Sequence, residues 1–295
     1  MASSRPWIFL CPSSRGIGHA LTRHLLQTTH PSIPIFATAR GDDLSSVKSS
    51  ILKDLSLPSN KQSQQDLEKR LHLVSLDVTS ESSIQAASER ASFLFPKGNY
   101  HLHLAFALPG ILYPEKSYSA IDYENALETY KVNVLGPMLL IKYFADFMPK
   151  KGTTFAGTAD DGTEGVGSAG GYGGEGEMSL PPSAIWTTMS ARVGSISDNR
   201  LGGWYSYRSS KAAVNSLTKS LDHELRAKRD SKAMAVAYHP GTVKTGLSRE
   251  FWGSVANDSL FTPQDAASKM AGVVFGLRAG QRGRCWDWKG SEIHP

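Results

Sequence analysis

The chain has 295 residues, of which 40% are hydrophobic, 9% aromatic and 20% charged. This balance is typical of a folded globular protein and excludes wholesale disorder. No run of about 18 uncharged apolar residues occurs, so we expect no membrane-spanning helix and no membrane partner. The first apolar stretch, 7–11, begins too early for a targeting peptide to precede it, and two cysteines are too few for a disulfide framework. We therefore expect a cytoplasmic protein with reduced thiols.

The formal net charge is +5, and no block of five or more lysines and arginines occurs. Residues 158–182 contain two aspartates and three glutamates but no lysine or arginine, so the rest of the chain is more basic than the total. A positive field of this kind favours an anionic cofactor or substrate. Because the basic residues are scattered and no recognition motif is present, we expect no nucleic-acid partner.

Apolar runs typical of β-strands alternate along the chain with stretches of helical periodicity. The predicted strands lie at 7–11, 33–39, 71–76, 101–108, 184–189 and 233–238. The predicted helices lie at 17–28, 82–95, 123–147 and 206–225, followed by a helix at about 263–277 and a strand near 284–288. This alternation predicts one α/β domain spanning 1–295, a doubly wound Rossmann fold with about seven parallel strands and helices on both faces.

Two segments interrupt the alternation. Residues 42–70 are polar and rich in Ser, Gln and Lys, and their few leucines predict one or two weak helices in a peripheral insertion. Residues 152–182 are acidic and rich in glycine, with ten glycines between 152 and 176. Such a composition buries little apolar surface, which predicts a flexible surface insertion.

The sequence Cys-Pro-Ser-Ser-Arg-Gly-Ile-Gly at 11–18 follows the first predicted strand and opens the first predicted helix. A strand, a turn of small residues and a helix N-terminus together form an anion site, because free backbone N–H groups and the positive helix end face the ligand. Gly16 and Gly18 would permit the close approach of a pyrophosphate. Two glycines alone are equally consistent with an ordinary turn between a strand and a helix.

In this context the turn resembles the Gly-x-x-x-Gly-x-Gly fingerprint of the short-chain dehydrogenase/reductase family, with Pro12 in place of the first glycine. Proline fixes φ and has no N–H, so we expect a reshaped turn and weaker cofactor binding. The resemblance implies that the turn contacts a dinucleotide through Ser14, Arg15, Gly16, Ile17 and Gly18.

Ala39 ends the second predicted strand, where an acidic residue would bind a ribose 2′-hydroxyl, and Arg40 follows it directly. A guanidinium there can bind a 2′-phosphate bidentately, and Arg15 in the turn can add a second one. In the family this pair is an NADP signature, although both arginines could instead simply be solvated. Asp77 and Val78 end the third strand, where the family contacts adenine; Asp77 could also be a helix N-cap.

Tyr207 and Lys211 form a Tyr-x-x-x-Lys pattern, so that their side chains share one face of a predicted helix. A phenol becomes a useful acid or base near neutral pH only when positive charge favours the phenolate. This spacing is common on protein surfaces, but behind a nucleotide-binding turn it indicates a catalytic pair. The family's catalytic asparagine corresponds to Asn133, whose carboxamide can hold a water that relays protons to the lysine; its alternative is a capped kink before Pro137.

Family members usually have two consecutive serines after the fifth strand, and the second polarises the substrate carbonyl. Here the pair is Ser190 and Ala191. We expect Ser190 to take over this role, with Ser195 as the reserve. If neither serves, a hydrogen bond worth on the order of a hundredfold in rate is missing.

Further matches extend the resemblance over most of the chain. Residues 107–110 stand where the family has Asn-Asn-Ala-Gly, which implies cofactor contacts from Leu108 and Gly110. The sequence His-Pro-Gly-Thr-Val-Lys-Thr at 239–245 resembles the loop that meets nicotinamide and phosphate, which implies contacts from Pro240, Gly241, Val243 and Thr245. Residues 192–215 and 283–288 resemble the C-factor-like and sniffer-type carbonyl reductase branch.

The resemblance implies an NADP-dependent oxidoreductase that transfers hydride between nicotinamide and a carbonyl or secondary alcohol of a small substrate. Candidate pocket walls are apolar or aromatic, which favours an apolar or aromatic substrate, although ordinary core or lid packing explains each of them as well. They are Leu108, Pro109, Tyr113, Trp204, Tyr205 and residues 246–255. The alternative is a catalytically impaired NADP(H)-binding protein or scaffold, favoured by Pro12 and Ala191. The histidines form no zinc-type ligand set, so we expect no metal. The family often forms homodimers or homotetramers, and both states stay open here.

Overall fold

The computed structural model describes residues 3–55, 63–156, 178–254 and 259–295. The strands are β1 (Arg5–Cys11), β2 (Ile35–Ala39), β3 (Leu71–Ser75), β4 (Tyr100–Ala107), β5 (Ala184–Met189), β6 (Ala233–His239), β7 (Thr242–Val243), β8 (Leu260–Phe261), β9 (Cys285–Asp287) and β10 (Glu292–Ile293). The helices are α1 (Gly16–Thr28), α2 (Leu44–Leu52), α3 (Gln64–Arg70), α4 (Glu81–Leu94), α5 (Tyr123–Tyr130), α6 (Gly136–Phe144), α7 (Tyr205–Arg229) and α8 (Pro263–Gly276).

Eight strands form one sheet in the order β10-β9-β6-β5-β4-β1-β2-β3. Every neighbouring pair from β3 to β9 is parallel, and β10 joins the edge antiparallel to β9. The predicted doubly wound Rossmann fold is thereby confirmed. The chain first builds outward through β2 and β3 and then restarts at β4 on the other side of β1. Ligands of such sheets bind at this reversal, outside the carboxyl ends of the strands.

The strands read as continuous apolar runs because both faces of the sheet are covered. In β1, Ile8 and Leu10 pack into the layer that contains α1 and α8. The alternate residues, Trp7 and Phe9, face the layer of α4, α6 and α7, where the Phe9 and Phe144 rings stack with centroids 4.3 Å apart. The strand ends are thereby fixed relative to the helices that begin there.

The segment 42–70 is more than a peripheral insertion. Its described residues form α2 and α3 between β2 and β3, and Ile51, Leu52 and Leu67 are buried in the main core. The guanidinium of Arg70 donates to the carbonyl oxygens of Ile33 and Leu26. The few apolar residues of this polar segment therefore suffice to make it a crossover connection of the sheet.

Most of the second predicted insertion, residues 157–177, lies outside the described residues. At its two described ends, Phe155 and Leu180 are buried. The predicted helix 123–147 is interrupted: α5 and α6 are joined by a π-helical turn at Lys131–Leu135.

Candidate active site

The residues singled out from the sequence lie at the carboxyl ends of the parallel strands. The turn after β1, the end of β2, the loop after β4, the turn after β5 and the loop after β6 all open onto this edge of the sheet. The π-helical turn and the start of α7 lie beside them. Parallel register explains this gathering, because every strand reaches the edge in the same direction.

The turn 12–18 is shaped by its own backbone. Gly16 has a left-handed φ of +57° and begins α1, which receives no side-chain cap from Arg15. Gly18 lies against the preceding turn: a Cβ there would be 1.9 Å from the carbonyl oxygen of Pro12. Gly18 is thus required by backbone packing within the turn itself. Ser14 is half-buried, and Ile17 packs with Val243 and Phe261.

Arg15 and Arg40 are both exposed, and within the described ranges neither forms an ion pair with a carboxylate. The carboxylate of Asp77 accepts hydrogen bonds from the backbone N–H and the hydroxyl of Thr79, at 2.9 and 2.7 Å. Val78 lies against Gly136, where a Cβ would be 3.0 Å from the Cβ of Val78. The missing side chain of Gly136 lets the loop after β3 approach α6.

Tyr207 and Lys211 occupy one face of the first turns of α7. The Lys211 Nζ lies 5.6 Å from the centroid of the Tyr207 ring and donates to the carbonyl oxygen of Met189 at 2.9 Å. Burial lowers the pKa of Lys211 to about 8 and raises the pKa of Tyr207 to about 12. Desolvation disfavours the charged form of each group, so an additional charge in the site is needed to shift either back.

Gly110 lies directly over Lys211 and Asn133. A Cβ on Gly110 would be 3.5 Å from the Lys211 Nζ and 3.9 Å from the Asn133 Oδ1. Leu108 precedes this turn, and its N–H donates to the carbonyl oxygen of Cys11 at 2.6 Å, which ties the loop after β4 to the end of β1. Gly110 therefore places no side chain next to the buried ammonium.

Asn133 lies in the π-helical turn, a feature frequently found at functional sites. Its Oδ1 accepts from the N–H of Ile111 at 2.8 Å, and its Nδ2 donates to the carbonyl oxygen of Ile111 and to the Ser210 Oγ. The carboxamide therefore fixes the loop beside Gly110. The expected role of this carboxamide, holding a water for Lys211, stays a prediction.

The two candidate serines face other partners. Ser190 is buried and its hydroxyl donates to the Asn215 Oδ1 at 2.6 Å. The Ser195 hydroxyl accepts from the N–H of Asp198 at 3.1 Å and lies 3.2 Å from the Ser197 Oγ. No hydroxyl stands at position 191, where Ala191 is buried. Both residues follow the last residue of β5, Met189, and of the two only Ser190 carries a hydroxyl.

The loop after β6 folds back onto the first turn. Pro240 leads into Gly241, which has a φ of +75° and no room for a side chain, because a Cβ would lie 2.8 Å from the Phe261 ring and 3.0 Å from Trp288. Val243 then pairs with Phe261 in the small β7–β8 sheet. Thr245 reaches Gly16, where a Cβ would be 3.3 Å from the Thr245 Cγ2. The loop thus spans the distance from β6 to the start of α1.

Several residues of this site were not predicted from the sequence. Ile111 and Asn215 are the hydrogen-bond partners of Asn133 and Ser190. The buried carboxylate of Glu115 accepts from the N–H of Ser206 at the start of α7, at 3.3 Å. A lone glutamate in a loop gives no sequence signal for such a contact, because its partner lies 91 residues away.

No three His, Cys, Asp or Glu side chains come together as metal ligands anywhere in the described ranges. His101 and His103 instead hydrogen-bond to each other at 2.9 Å, and their outer nitrogens face the Ser4 hydroxyl and the Pro181 carbonyl oxygen. In the part of the chain that the structure describes, no helix has the length and apolar character needed to span a bilayer.

No family model matches the chain. Among curated proteins, it is 28% identical over 209 residues to 1-hydroxy-2-glutathionyl-2-methyl-3-butene dehydrogenase of Rhodococcus sp. (strain AD45), covering 71% of this chain and 74% of that one. It is 32% identical over 105 residues to C-signal of Myxococcus xanthus, covering 36% and 57%. An uncharacterized oxidoreductase of Schizosaccharomyces pombe is 24% identical over 303 residues, covering 99% of both chains.

Among solved structures, carbonyl reductase Sniffer of D. melanogaster aligns over 100% of both chains with a TM-score of 0.73 and 21% identity. NADPH-bound carbonyl reductase from chicken fatty liver aligns over 100% of both chains with a TM-score of 0.68 and 24% identity. These likenesses show the fold. The resemblance to short-chain dehydrogenase/reductases and to sniffer-type carbonyl reductases, inferred from the motifs, is thereby confirmed.

Proposed function

We propose that the chain is an NADP-dependent oxidoreductase of the short-chain dehydrogenase/reductase type, acting on a carbonyl or secondary alcohol of a small apolar or aromatic substrate. One observation carries the proposal: Tyr207 and Lys211 share the face of α7 that meets Gly110 and Asn133 at the carboxyl edge of the sheet. The names of the relatives support an oxidoreductase. Solved neighbours with NADPH or NADP bound support the choice of cofactor.

The residues at this edge fit a phosphorylated dinucleotide. The first turn of α1 offers backbone N–H groups without a side-chain cap. Arg15 directly precedes this turn, and Arg40 follows β2, the neighbour of β1; both residues are exposed. Arg15 and Arg40 would bind the 2′-phosphate. We assign the remaining contacts to Ser14, Gly16, Ile17, Gly18, Asp77, Val78, Leu108, Gly110, Tyr207, Lys211, Pro240, Gly241, Val243 and Thr245. NADP supplies or accepts the hydride when bound.

The protein's own residues handle the proton. In the reducing direction the Tyr207 hydroxyl donates its proton to the developing alkoxide, and the Lys211 ammonium stabilises the resulting phenolate. Asn133 positions the loop at 110–111 beside that ammonium. The Ser190 hydroxyl donates its hydrogen bond to Asn215. We therefore assign the hydrogen bond to the substrate oxygen to Tyr207 alone, and we assign Ser190 the role of supporting α7.

The second candidate is a catalytically impaired NADP(H)-binding protein or scaffold. It is favoured by the alanine at position 191 together with the commitment of Ser190 and Ser195 to other partners. Loss of one such donor typically costs on the order of a hundredfold or more in rate. Both candidates therefore predict that the protein binds NADPH, and only the first predicts turnover of a carbonyl substrate.

The test is to incubate the purified protein with NADPH and a panel of aldehydes, ketones and quinones, and to follow cofactor oxidation. We expect turnover that Tyr207→Phe reduces by about a hundredfold or more. Tyr123→Phe, which alters an exposed phenol at the start of α5, is the matched control and should retain the turnover. NADPH binding without turnover on any substrate would favour the scaffold. Absence of NADPH binding would overturn both proposals.

A further inference from the structure

Three consecutive residues before α7 have left-handed backbone conformations: Gly202 (φ 64°), Gly203 (φ 67°) and Trp204 (φ 50°, ψ 47°). Glycine adopts this region freely, whereas a bulky side chain is strained there. The strain of such a conformation is offset by contacts with the surrounding structure, and residues of this kind cluster at functional sites. Trp204 lies three residues before Tyr207, so its contacts bear on the proposed site.

Glu115, a buried residue in an otherwise more exposed loop, fixes this turn. The N–H of Trp204 donates to the carbonyl oxygen of Glu115 at 2.6 Å, and a Cβ on Gly203 would lie 3.3 Å from the same oxygen. The Glu115 side chain accepts from the N–H of Ser206. These contacts hold the backbone of Trp204 in place and thereby determine where its ring points.

The ring of Trp204 lies between two other aromatic rings. It meets Tyr207 in a T-shaped arrangement with centroids 6.2 Å apart, and it packs on Phe251 at 4.8 Å. Tyr207 belongs to the proposed catalytic pair, and Phe251 belongs to the exposed segment that follows β7. Trp204 therefore connects the two.

That segment, residues 244–253, runs past the first turn, Gly110 and Trp204, and we name it the cover segment. At one end Thr245 contacts Gly16 in the first turn, and in the middle the Leu247 Cδ1 lies 3.9 Å from a Cβ built on Gly110. At the other end Phe251 meets Trp204. Lys244, Leu247 and Arg249 are exposed on it. The Lys244 N–H also donates to the carbonyl oxygen of Phe261 at 2.8 Å, which ties the start of the segment to β8.

We infer that Trp204 is a positioning residue that anchors the cover segment over Tyr207. The left-handed backbone conformation of Trp204 orients its ring, and the ring packs against Phe251. An aromatic contact of this kind stabilises the closed arrangement by a factor of about three to ten. The inference rests on the proposed function only where it concerns substrate; closure of the cover segment can be measured without turnover.

The first test is limited trypsin digestion of the full chain, following cleavage after Lys244 and Arg249. Trp204→Asn removes the ring but tolerates the left-handed conformation. We expect cleavage in the cover segment to become about three to ten times faster, with an unchanged or higher Tm because strain is relieved. Trp204→Phe retains a ring and should restore slow cleavage. Leu201→Asn changes a 92%-exposed residue of the same loop and should have no effect.

Phe251→Leu removes the ring from the other side of the contact and should reproduce the faster cleavage, which keeps the inference testable if Trp204→Asn fails to fold. Unchanged cleavage in both variants would overturn it, as would faster cleavage at sites throughout the chain. With a substrate in hand, Trp204→Asn should raise KM for the carbonyl and leave kcat nearly unchanged. If no substrate is turned over, the proposed function fails while the proteolysis result still decides the role of Trp204.

Discussion

The Lys211 ammonium faces the ring of Tyr207 at 5.6 Å, and both side chains are buried one helical turn apart on α7. Burial moves their two pKa values in opposite directions, to about 8 for Lys211 and about 12 for Tyr207. Each group is thereby pushed toward its neutral form. The folded protein therefore bears a cost for keeping the ammonium charged at neutral pH, and this cost can be measured.

Lys211→Met should change the pH dependence of stability. Between pH 8 and 10.5 the unfolded chain binds more protons at this lysine than the folded chain does, so its contribution to the free energy of unfolding rises with pH. The difference in unfolding free energy between wild type and Lys211→Met should therefore shift in favour of wild type by about 3 kcal/mol across this window. Urea titrations at several pH values measure it.

Taking the difference between the two proteins cancels the lysines and tyrosines that lie away from residue 211 and titrate in the same window. Below pH 8 the ammonium is charged in both states, so the difference should be constant there. A difference that stays flat from neutral pH to pH 10 would contradict the inferred burial of a charged Lys211.

Ala191→Ser should increase the rate of carbonyl reduction. Position 191 is where the resemblance places the second serine, and a hydroxyl there would add a hydrogen-bond donor for the developing alkoxide. Because such a donor is worth on the order of a hundredfold where it is native, we expect a gain of about tenfold in kcat. Initial rates with NADPH and the best substrate of the panel provide the measurement.

Ser190→Ala separates the two possible roles of the neighbouring serine. The Ser190 hydroxyl donates to Asn215, so its loss should lower stability by about 1 to 3 kcal/mol, because a buried acceptor is left unpaired. The kcat should change little. A hundredfold fall in kcat at unchanged stability would instead identify Ser190 as the carbonyl donor.

Arg40→Ala should weaken NADPH much more than NADH. An exposed guanidinium free of ion pairs with the described carboxylates can form charge-assisted hydrogen bonds with a 2′-phosphate, worth about 1.5 to 3 kcal/mol. We expect the Kd of NADPH to rise by a factor of about ten to a hundred, measured by titration calorimetry.

Two controls accompany this titration. Arg226→Ala removes the same charge from an exposed position near the end of α7 and should leave both affinities unchanged. If Arg40→Ala weakened the affinity for NADPH and NADH equally, Arg40 would contribute only to the long-range electrostatic attraction of the cofactor and would not bind the 2′-phosphate.

The sheet and the gathering of the site could be predicted from the sequence because parallel strands covered on both faces leave continuous apolar runs. The turn at Gly16 and Gly18 and the Tyr207–Lys211 pair follow strands whose ends share one edge. In a parallel sheet, strand ends at one edge bring the turn and the pair close together. Each of the two motifs is itself formed by residues that lie close together in the chain.

The features that could not be predicted depend on partners far away in the chain. Asn133 lies 22 residues from Ile111, and Ser190 lies 25 residues from Asn215. A hydrogen bond at such a separation leaves no periodicity in the sequence. The core role of Ile51 and Leu67 could not be predicted for a related reason, because a few buried apolar residues in a polar segment do not change its average composition.

Gly18 illustrates both sides of this limit, since the structure adds a second reason for its small size. The sequence indicated that its small size would admit a pyrophosphate, whereas a Cβ there would lie 1.9 Å from the carbonyl oxygen of Pro12. Gly18→Ala should therefore lower the free energy of unfolding of the protein without cofactor, by about 2 kcal/mol or more, because backbone has to shift. Gly272→Ala, at an exposed helical position of α8 with open space around it, is the matched control and should raise stability by about 1 kcal/mol. Thermal unfolding of both variants measures the contrast; equal stability with loss of NADPH binding in Gly18→Ala would restore the cofactor explanation.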